Sequence, residues 1–226
     1  MNKEKIIRLV SKHRKIACVS IKLCNKLFLN NKNRGGGVTT DYNFALLKGC
    51  KIINHGSNNR IIIGDFSRLN QCAFHFFGSN NTVLIDEFCS CNQADFWIED
   101  NGNTIHLGEH TSLCGRIQLA AMEGTEIQIG KDCLFSSNIA MRTGDSHSLI
   151  QCDTGERINS SKSIIIGDHV WIGTGVTVLK GTYVASHCVV GACSLLCKEY
   201  REENCVLTGV PGKVVKQGID WKKERI

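Results

Sequence analysis

The sequence predicts an all-β solenoid, and three features predict it. The pairs Ile63-Gly64, Ile85-Asp86, Leu107-Gly108 and Ile129-Gly130 recur every 22 residues. From Ile166-Gly167 onward an apolar beat continues every six residues, through Ile172, Val178, Val184, Val190 and Leu196. The 226 residues include 22 glycines and one proline, Pro211, which suits short repeated turns and not a linker-rich multidomain chain. A fixed period of this kind means stacked copies of one supersecondary unit, each burying against its neighbours what it could not bury alone.

The elements follow in order. Residues 3–29 space Ile6, Leu9, Val10, Ile16, Val19, Leu23 and Leu27 at mostly helical intervals, so one or two helices are expected. Asn30 to Gly37 is a breaker, and residues 1–34 are set apart as a basic helical segment. The solenoid is assigned to residues 35–218 and a tail to 219–226. Each 22-residue unit reads as eighteen residues on three faces plus a four-residue turn. Its apolar columns are Ile63/Ile85/Leu107/Ile129, Leu69/Cys91/Leu113/Phe135 and His75/Trp97/Leu119/Met141. Turns such as Gly56-Ser57-Asn58-Asn59 supply residues that tolerate positive φ. In the six-step region Ile164, Val170, Val176, Thr182, Cys188 and Ser194 precede the beat by two, so both positions face inward on a strand. Six is not a helical period, and a leucine-rich repeat would need more leucine. A triangular β-solenoid remains.

The net charge of +6 is uneven: residues 1–34 carry ten Lys/Arg against one acid, the rest seventeen against twenty. That excludes a uniformly basic nucleic-acid binder. The basic segment either caps the open end of the solenoid or docks on an anionic membrane, and capping is favoured. The thirteen cysteines are odd in number and show no paired spacing. No secretory leader is read at the start, so free thiols in a reducing cytoplasm are expected. Cys89, Cys133 and Cys188 fall where a small apolar side chain is wanted.

The residues Ile164-Ile165-Ile166-Gly167-Asp168-His169-Val170-Trp171-Ile172-Gly173, Val178-Leu179-Lys180-Gly181 and Gly209-Val210-Pro211-Gly212-Lys213 resemble the hexapeptide-repeat acyltransferases. The likeness covers roughly residues 52–218, with Gly212 where that family usually has Ala. Asp145-Ser146-His147, Arg157-Ile158-Asn159 and Trp171, 24 residues after the histidine, resemble the subgroup of bacterial polysaccharide O-acetyltransferases, including the polysialic acid capsule enzymes. The resemblance implies a left-handed β-helix, a homotrimer with sites between subunits, acetyl-CoA as co-substrate and a carbohydrate acceptor.

The repeat lapses at residues 147–163, an excursion that opens with His147. Moving an acetyl group from a thioester to a sugar hydroxyl needs a base, and imidazole titrates near 6.5. His147 is therefore the candidate general base, with Asp145 to orient or stabilise the ring. Trp171 precedes the inward Ile172 and so points outward; by resemblance it borders the thiol end of acetyl-CoA or the acceptor. Gly173 and Gly191 are candidates for close approach of the cofactor; the resemblance implies Lys198, Lys213 and Lys216 for its phosphates, by analogy with the family's C-terminal lysines, and Arg142 and Arg157 are candidates for the acceptor. Surface lysines are common, and each alone is a weak signal. His106 and His110 lie on strand and turn, and His169 and His187, one coil apart, are expected to stack on the outer face; no metal is assigned. The rival functions are an N-acetyltransferase on an amino-sugar nucleotide and a non-catalytic glycan-binding solenoid. A serine acetyltransferase would need a large helical domain for which residues 1–34 leave no room.

Overall fold

A computed structural model describes residues 14–27 and 31–225; the helical reading of residues 3–13 and 28–29 lies outside them. From Lys32 onward the chain winds as a three-sided prism. One face stacks Asn59–Ile63, Thr82–Ile85, Thr104–Leu107, Glu126–Ile129 and Ile164–Ile166 in parallel. The other two faces belong to one continuous sheet, because Ser112–Ala121 and Leu134–Arg142 run across a corner from one to the other. Among the described strands of the prism, pairing is parallel until the hairpin Cys205–Gly209 with Gly212–Gln217, where Pro211 lies in the turn.

The columns explain the beat. Ile63, Ile85, Leu107 and Ile129 are buried, as are Leu69, Cys91, Leu113 and Phe135. Ile166, Ile172, Val178, Val184, Val190 and Leu196 and their partners two residues earlier are buried too. At Gly108 coil stacking leaves no room for a side chain, since a Cβ there would lie 2.6 Å from the carbonyl carbon of Gly130, whereas Asp86 holds the same position one coil earlier. Cys89, Cys133 and Cys188 are buried as small apolar groups, and burial pushes the Cys89 and Cys133 thiols up to about 12. All thirteen cysteines are free.

The third column is out of frame in its first half. Phe74 and Phe96 point inward and stack at 4.7 Å, whereas His75 and Trp97 lie on the outer face. Phe96 pairs with Leu119 and Trp97 with Ala120, a step of 23, although Ser90 still pairs with Ser112 at 22. The extra residue enters at Gly115-Arg116, where Arg116 turns with φ 50°. The next corner is one residue shorter, since Thr104 pairs with Glu126 at 22 again. Insertion and deletion cancel, so the period survives while the frame slips between them.

A buried asparagine ladder closes another corner. Asn59 and Asn81 each donate through Nδ2 to the backbone oxygen of the coil above, Gly78 and Asp100, at 2.8 and 3.0 Å. The Oδ1 atoms of Asn59 and Asn81 accept the amides of Asn81 and Asn103 at 2.9 and 2.8 Å. Asn58 and Asn80, at φ 53° and 61°, and Gly102, at 74°, make the turns expected of that corner.

The first coil starts at Lys32–Arg34, which pairs with Lys51–Ile53, so the solenoid begins inside the segment assigned to the N-terminus. The helix Arg14–Leu27 covers the open end. Its Asn25, 2% exposed, donates to the Ala45 carbonyl at 3.0 Å and accepts the Leu47 amide at 3.1 Å. Asn31 does the same for Leu47 O and Cys50 N, at 2.7 and 2.8 Å. Edge groups that would otherwise template pairing with another chain are thus satisfied. At the other end the tail returns, and Trp221 packs against His169.

Candidate active site

The excursion after Leu134–Arg142 is built as a small hairpin. Gln151 N donates to Glu156 O and Ile158 N to Leu149 O, both at 2.9 Å. Asn159, 6% exposed, is its hub. Its Oδ1 accepts Leu149 N at 2.8 Å and Arg157 Nε at 3.2 Å. Its Nδ2 donates to Asp145 Oδ2 and to the backbone oxygen of His147, each at 2.8 Å. All four hydrogen-bonding capacities of the amide are used. The His147 backbone is therefore pinned while its ring is exposed, which suits a base that must meet a bound substrate.

Asp145 does not hold the His147 ring. Its Oδ2 accepts Lys180 Nζ at 2.5 Å as well as Asn159, and the Lys180 ammonium beside it holds its carboxyl below the usual range. Lys180 also donates to the Asn159 carbonyl at 2.8 Å, so one ammonium ties both ends of the loop. Arg157 is likewise engaged: its Nη2 lies 2.6 Å from Glu123 Oε1, and Glu123 also accepts the Ser161 amide at 3.0 Å. The Arg157 guanidinium lowers the Glu123 pKa. Asp145 and Arg157 are thus loop anchors. Arg142 is exposed and donates to Gln118 Oε1 at 2.6 Å.

Sequence reasoning missed Lys180, Asn159 and Glu123 as anchors. Lys180 and Asn159 lay inside the quoted Val-Leu-Lys-Gly and Arg-Ile-Asn runs; Glu123 had no such signal.

Trp171 points outward as its frame requires, 39% exposed, with Nε1 3.5 Å from Ser136 Oγ. It lies opposite Leu134, at the start of the strand whose far end launches the loop, with a corner at Asn138 (φ 55°) between. Among the described residues its hydrogen-bond and ring partners are Ser136 and Trp221. The hairpin also exposes Leu149, Ile150 and Ile158 at 58, 52 and 62%.

Gly173 and Gly191 also serve coil packing. A Cβ on Gly173 would meet Ala192 N at 2.8 Å, and one on Gly191 would meet Thr208 Oγ1 at 2.8 Å. The next coil occupies that space, so stacking accounts for both glycines. Lys198 lines an outer groove of about 700 Å³ together with Lys162, Lys180 and Arg201. Lys213 and Lys216 stand on the terminal hairpin, outside that groove.

A parallel three-sided solenoid, with six-residue steps in its C-terminal part and one loop that displays a histidine, is a β-helix. Residues 163–198 match the family described as bacterial transferase hexapeptide (six repeats), and the left-handed β-helix implied by the motifs is the fold of the chain. Within that class the chain is similar to polysialic acid O-acetyltransferases. It is 32% identical over 110 residues to that of Neisseria meningitidis, covering 49% of this chain and 51% of the relative. It is 29% identical over 97 residues to that of Escherichia coli O1:K1, covering 43% and 31%. The chain thus spans about half the length, or less, of the curated relatives it matches. The crystal structure of the polysialic acid O-acetyltransferase OatWY superposes with a TM-score of 0.82 at 29% identity, over 87% of this chain and 92% of that one. That of the polySia-specific acetyltransferase NeuO gives 0.75 at 28%, over 86% of each.

Proposed function

We propose that the protein is an acetyl-CoA-dependent O-acetyltransferase acting on a sugar hydroxyl of a bacterial cell-surface polysaccharide or its precursor. The observation that carries this reading is His147: its backbone is pinned by Asn159, its ring is exposed, and it sits where the repeat breaks in a fold shared along most of its length with polysialic acid O-acetyltransferases. In the reaction the imidazole of His147 takes the hydroxyl proton as the sugar oxygen attacks the thioester carbonyl. The C–S bond then breaks, and the departing thiolate recovers the proton from the imidazolium. No charge remains on either product.

Because Trp171 pairs with the first residue of Leu134–Arg142 and His147 lies in the loop beyond its last, a homotrimer would complete each site with the neighbour's surface. The exposed Leu149, Ile150 and Ile158 support such covering. Trp171 would border the thioester. The groove of Lys162, Lys180, Lys198 and Arg201 offers cations to the phosphates of the cofactor or to an anionic glycan. No described helix is long and apolar enough to cross a membrane. Free thiols and an acetyl-CoA donor fit the cytoplasm, and the basic residues 1–34 would favour its anionic membrane face.

The test is thiol release from acetyl-CoA in the presence of purified capsule and O-antigen glycans. Wild type should release CoA only with an acceptor, and His147→Ala should be about 10²- to 10⁴-fold slower. Equal release by both proteins would remove His147 from the chemistry; no release with any glycan would overturn the enzyme assignment.

A further inference from the structure

One corner of the prism repeats a left-handed turn residue in successive coils. Phe66, Phe88, His110, Asp132, His169 and His187 occupy it, all with φ between 53° and 63°. In the first coils this corner is an aromatic stack, with Phe66, Phe88 and His110 rings 5.2 and 4.9 Å apart. It then changes chemistry to Asp132, His169 and His187. The tail folds onto this second part. Asn204 and Ile219 exchange hydrogen bonds at 2.9 and 3.0 Å, and the Trp221 ring stacks on His169 at 4.3 Å. That return carries Asp220 over both imidazoles.

The hydrogen bonding there does not close with neutral rings. His169 Nδ1 lies 2.7 Å from Asp132 Oδ2, while its Nε2 faces the Trp221 carbonyl at 3.0 Å and Asp220 Oδ1 at 3.4 Å. Every partner is an acceptor, and a neutral imidazole has one N–H. The carboxylate at 2.7 Å takes it, leaving a lone pair on Nε2 against two oxygens. His187 Nδ1 is buried without a hydrogen-bond partner among the described residues, 3.6 Å from the same Asp220 Oδ1. A proton on Nε2 would relieve His169 and leave His187 Nδ1 as it is. A cation between the three atoms relieves both.

The spacing fits such a cation. Bonds of about 2.0–2.1 Å in a tetrahedron set ligand atoms roughly 3.3–3.4 Å apart. The two edges to Asp220 Oδ1 are 3.4 and 3.6 Å, and one ligand atom from each of the three residues lies within 4.8 Å of the other two. Two imidazoles and a carboxylate are a donor set that zinc accepts. Asp132 behind His169 is the outer carboxylate that fixes a ligating ring, and Lys223 Nζ in turn binds Asp132 Oδ1 at 2.5 Å. We propose that His169 Nε2, His187 Nδ1 and Asp220 Oδ1 form a zinc-class divalent metal site that fastens the C-terminal tail to the corner of the solenoid. The site is independent of the acyl-transfer assignment. It bears on it only through position, since Trp221 lies 6.1 Å, ring to ring, from Trp171.

The experiment titrates Zn²⁺ into chelator-stripped, thiol-reduced full-length protein by calorimetry, and records the absorption of the Co²⁺ form. One Zn²⁺ per chain is expected, with affinity at least tenfold weaker in Asp220→Asn and in His187→Ala and about 10- to 100-fold weaker in Asp132→Asn. Circular dichroism checks that each variant is folded. Wild-type Co²⁺ protein should show the visible bands of a tetrahedral nitrogen and oxygen site, and Zn²⁺ should slow proteolysis of the tail beyond residue 218. Three results each overturn the proposal: no stoichiometric Zn²⁺ binding to wild type, binding unchanged in the double variant His187→Ala/Asp220→Asn, or sulfur-to-cobalt charge-transfer bands that place the metal on thiols. The wild-type cobalt spectrum decides even if a variant fails to fold.

Discussion

Replacing Gly108 by alanine tests why glycine follows the apolar residue in the repeat. The added Cβ would lie 2.6 Å from Gly130 C, 2.7 Å from its carbonyl oxygen and 2.8 Å from Lys131 N, all backbone atoms of the next coil. Ordinary contact starts near 3.4 Å, so the coils must separate by about 0.8 Å at this corner. That separation strains a Gly108 N–H to Ile129 O bond of 2.8 Å and the side chains packed below it. Overpacking of this degree costs about 1–3 kcal/mol. In a chain of this length each kcal/mol lowers Tm by about 2–4 °C, so a drop of about 2–12 °C is expected by calorimetry. Gly36→Ala is the control: nothing lies within 4 Å of its Cβ, and its φ is not in the left-handed region. It should be neutral, or stabilise by up to about 1 kcal/mol through the unfolded chain. If Gly108→Ala melts at or above the wild-type temperature, coil contact is not why the glycine is there.

Other perturbations probe separate features. Phe96→Ala should cost about 3–5 kcal/mol in urea unfolding and His75→Ala about 1 kcal/mol or less; the reverse order would restore the unslipped frame. Asn81→Ala orphans the Asn103 amide and the Asp100 carbonyl, at about 1–3 kcal/mol for each, and a change within the error of wild type would deny the ladder its role. Asp145 and Glu123 have folded pKa values below their ordinary 3.8 and 4.5, so the released loop takes up protons first as pH falls. Their anchoring is complete above about pH 5, where both are ionised, and is lost as pH drops through the lowered values. Exposed pairs contribute about 1 kcal/mol or less each, so amide exchange in residues 147–163, corrected for intrinsic rate, should rise several-fold from pH 5 to 3. Loosening already at pH 6–7 would assign the loop to other groups.

The repeat made the solenoid legible because burial in a coil is periodic, and Ile166 to Leu196 read correctly residue by residue. The slip at His75 and Trp97 was hidden because an insertion at Gly115-Arg116 and a deletion one corner later leave the 22-residue period intact. The loop and its histidine were legible as an interruption. Its anchors were not, since Lys180 and Glu123 reach it from neighbouring coils 35 and 34 residues distant in sequence from their partners. The tail is the extreme case: His169 and Trp221 meet across 52 residues with no repeat to announce it.

The loop leaves the solenoid at the place where coil length changes. Before it successive coils pair at 22 residues; across it Leu134 meets Trp171 at 37, and beyond it Trp171 meets Val189 at 18. The molecule is therefore two prisms of unequal girth joined at a seam, and the seam holds His147. In a stack where each coil touches only its neighbours, whole coils can be gained or lost at the wide N-terminal end without moving that histidine relative to Trp171. If the proposed acetyl transfer to a glycan holds, reach along the polymer and chemistry at one hydroxyl would be adjustable separately, the first by coil number and the second by the seam.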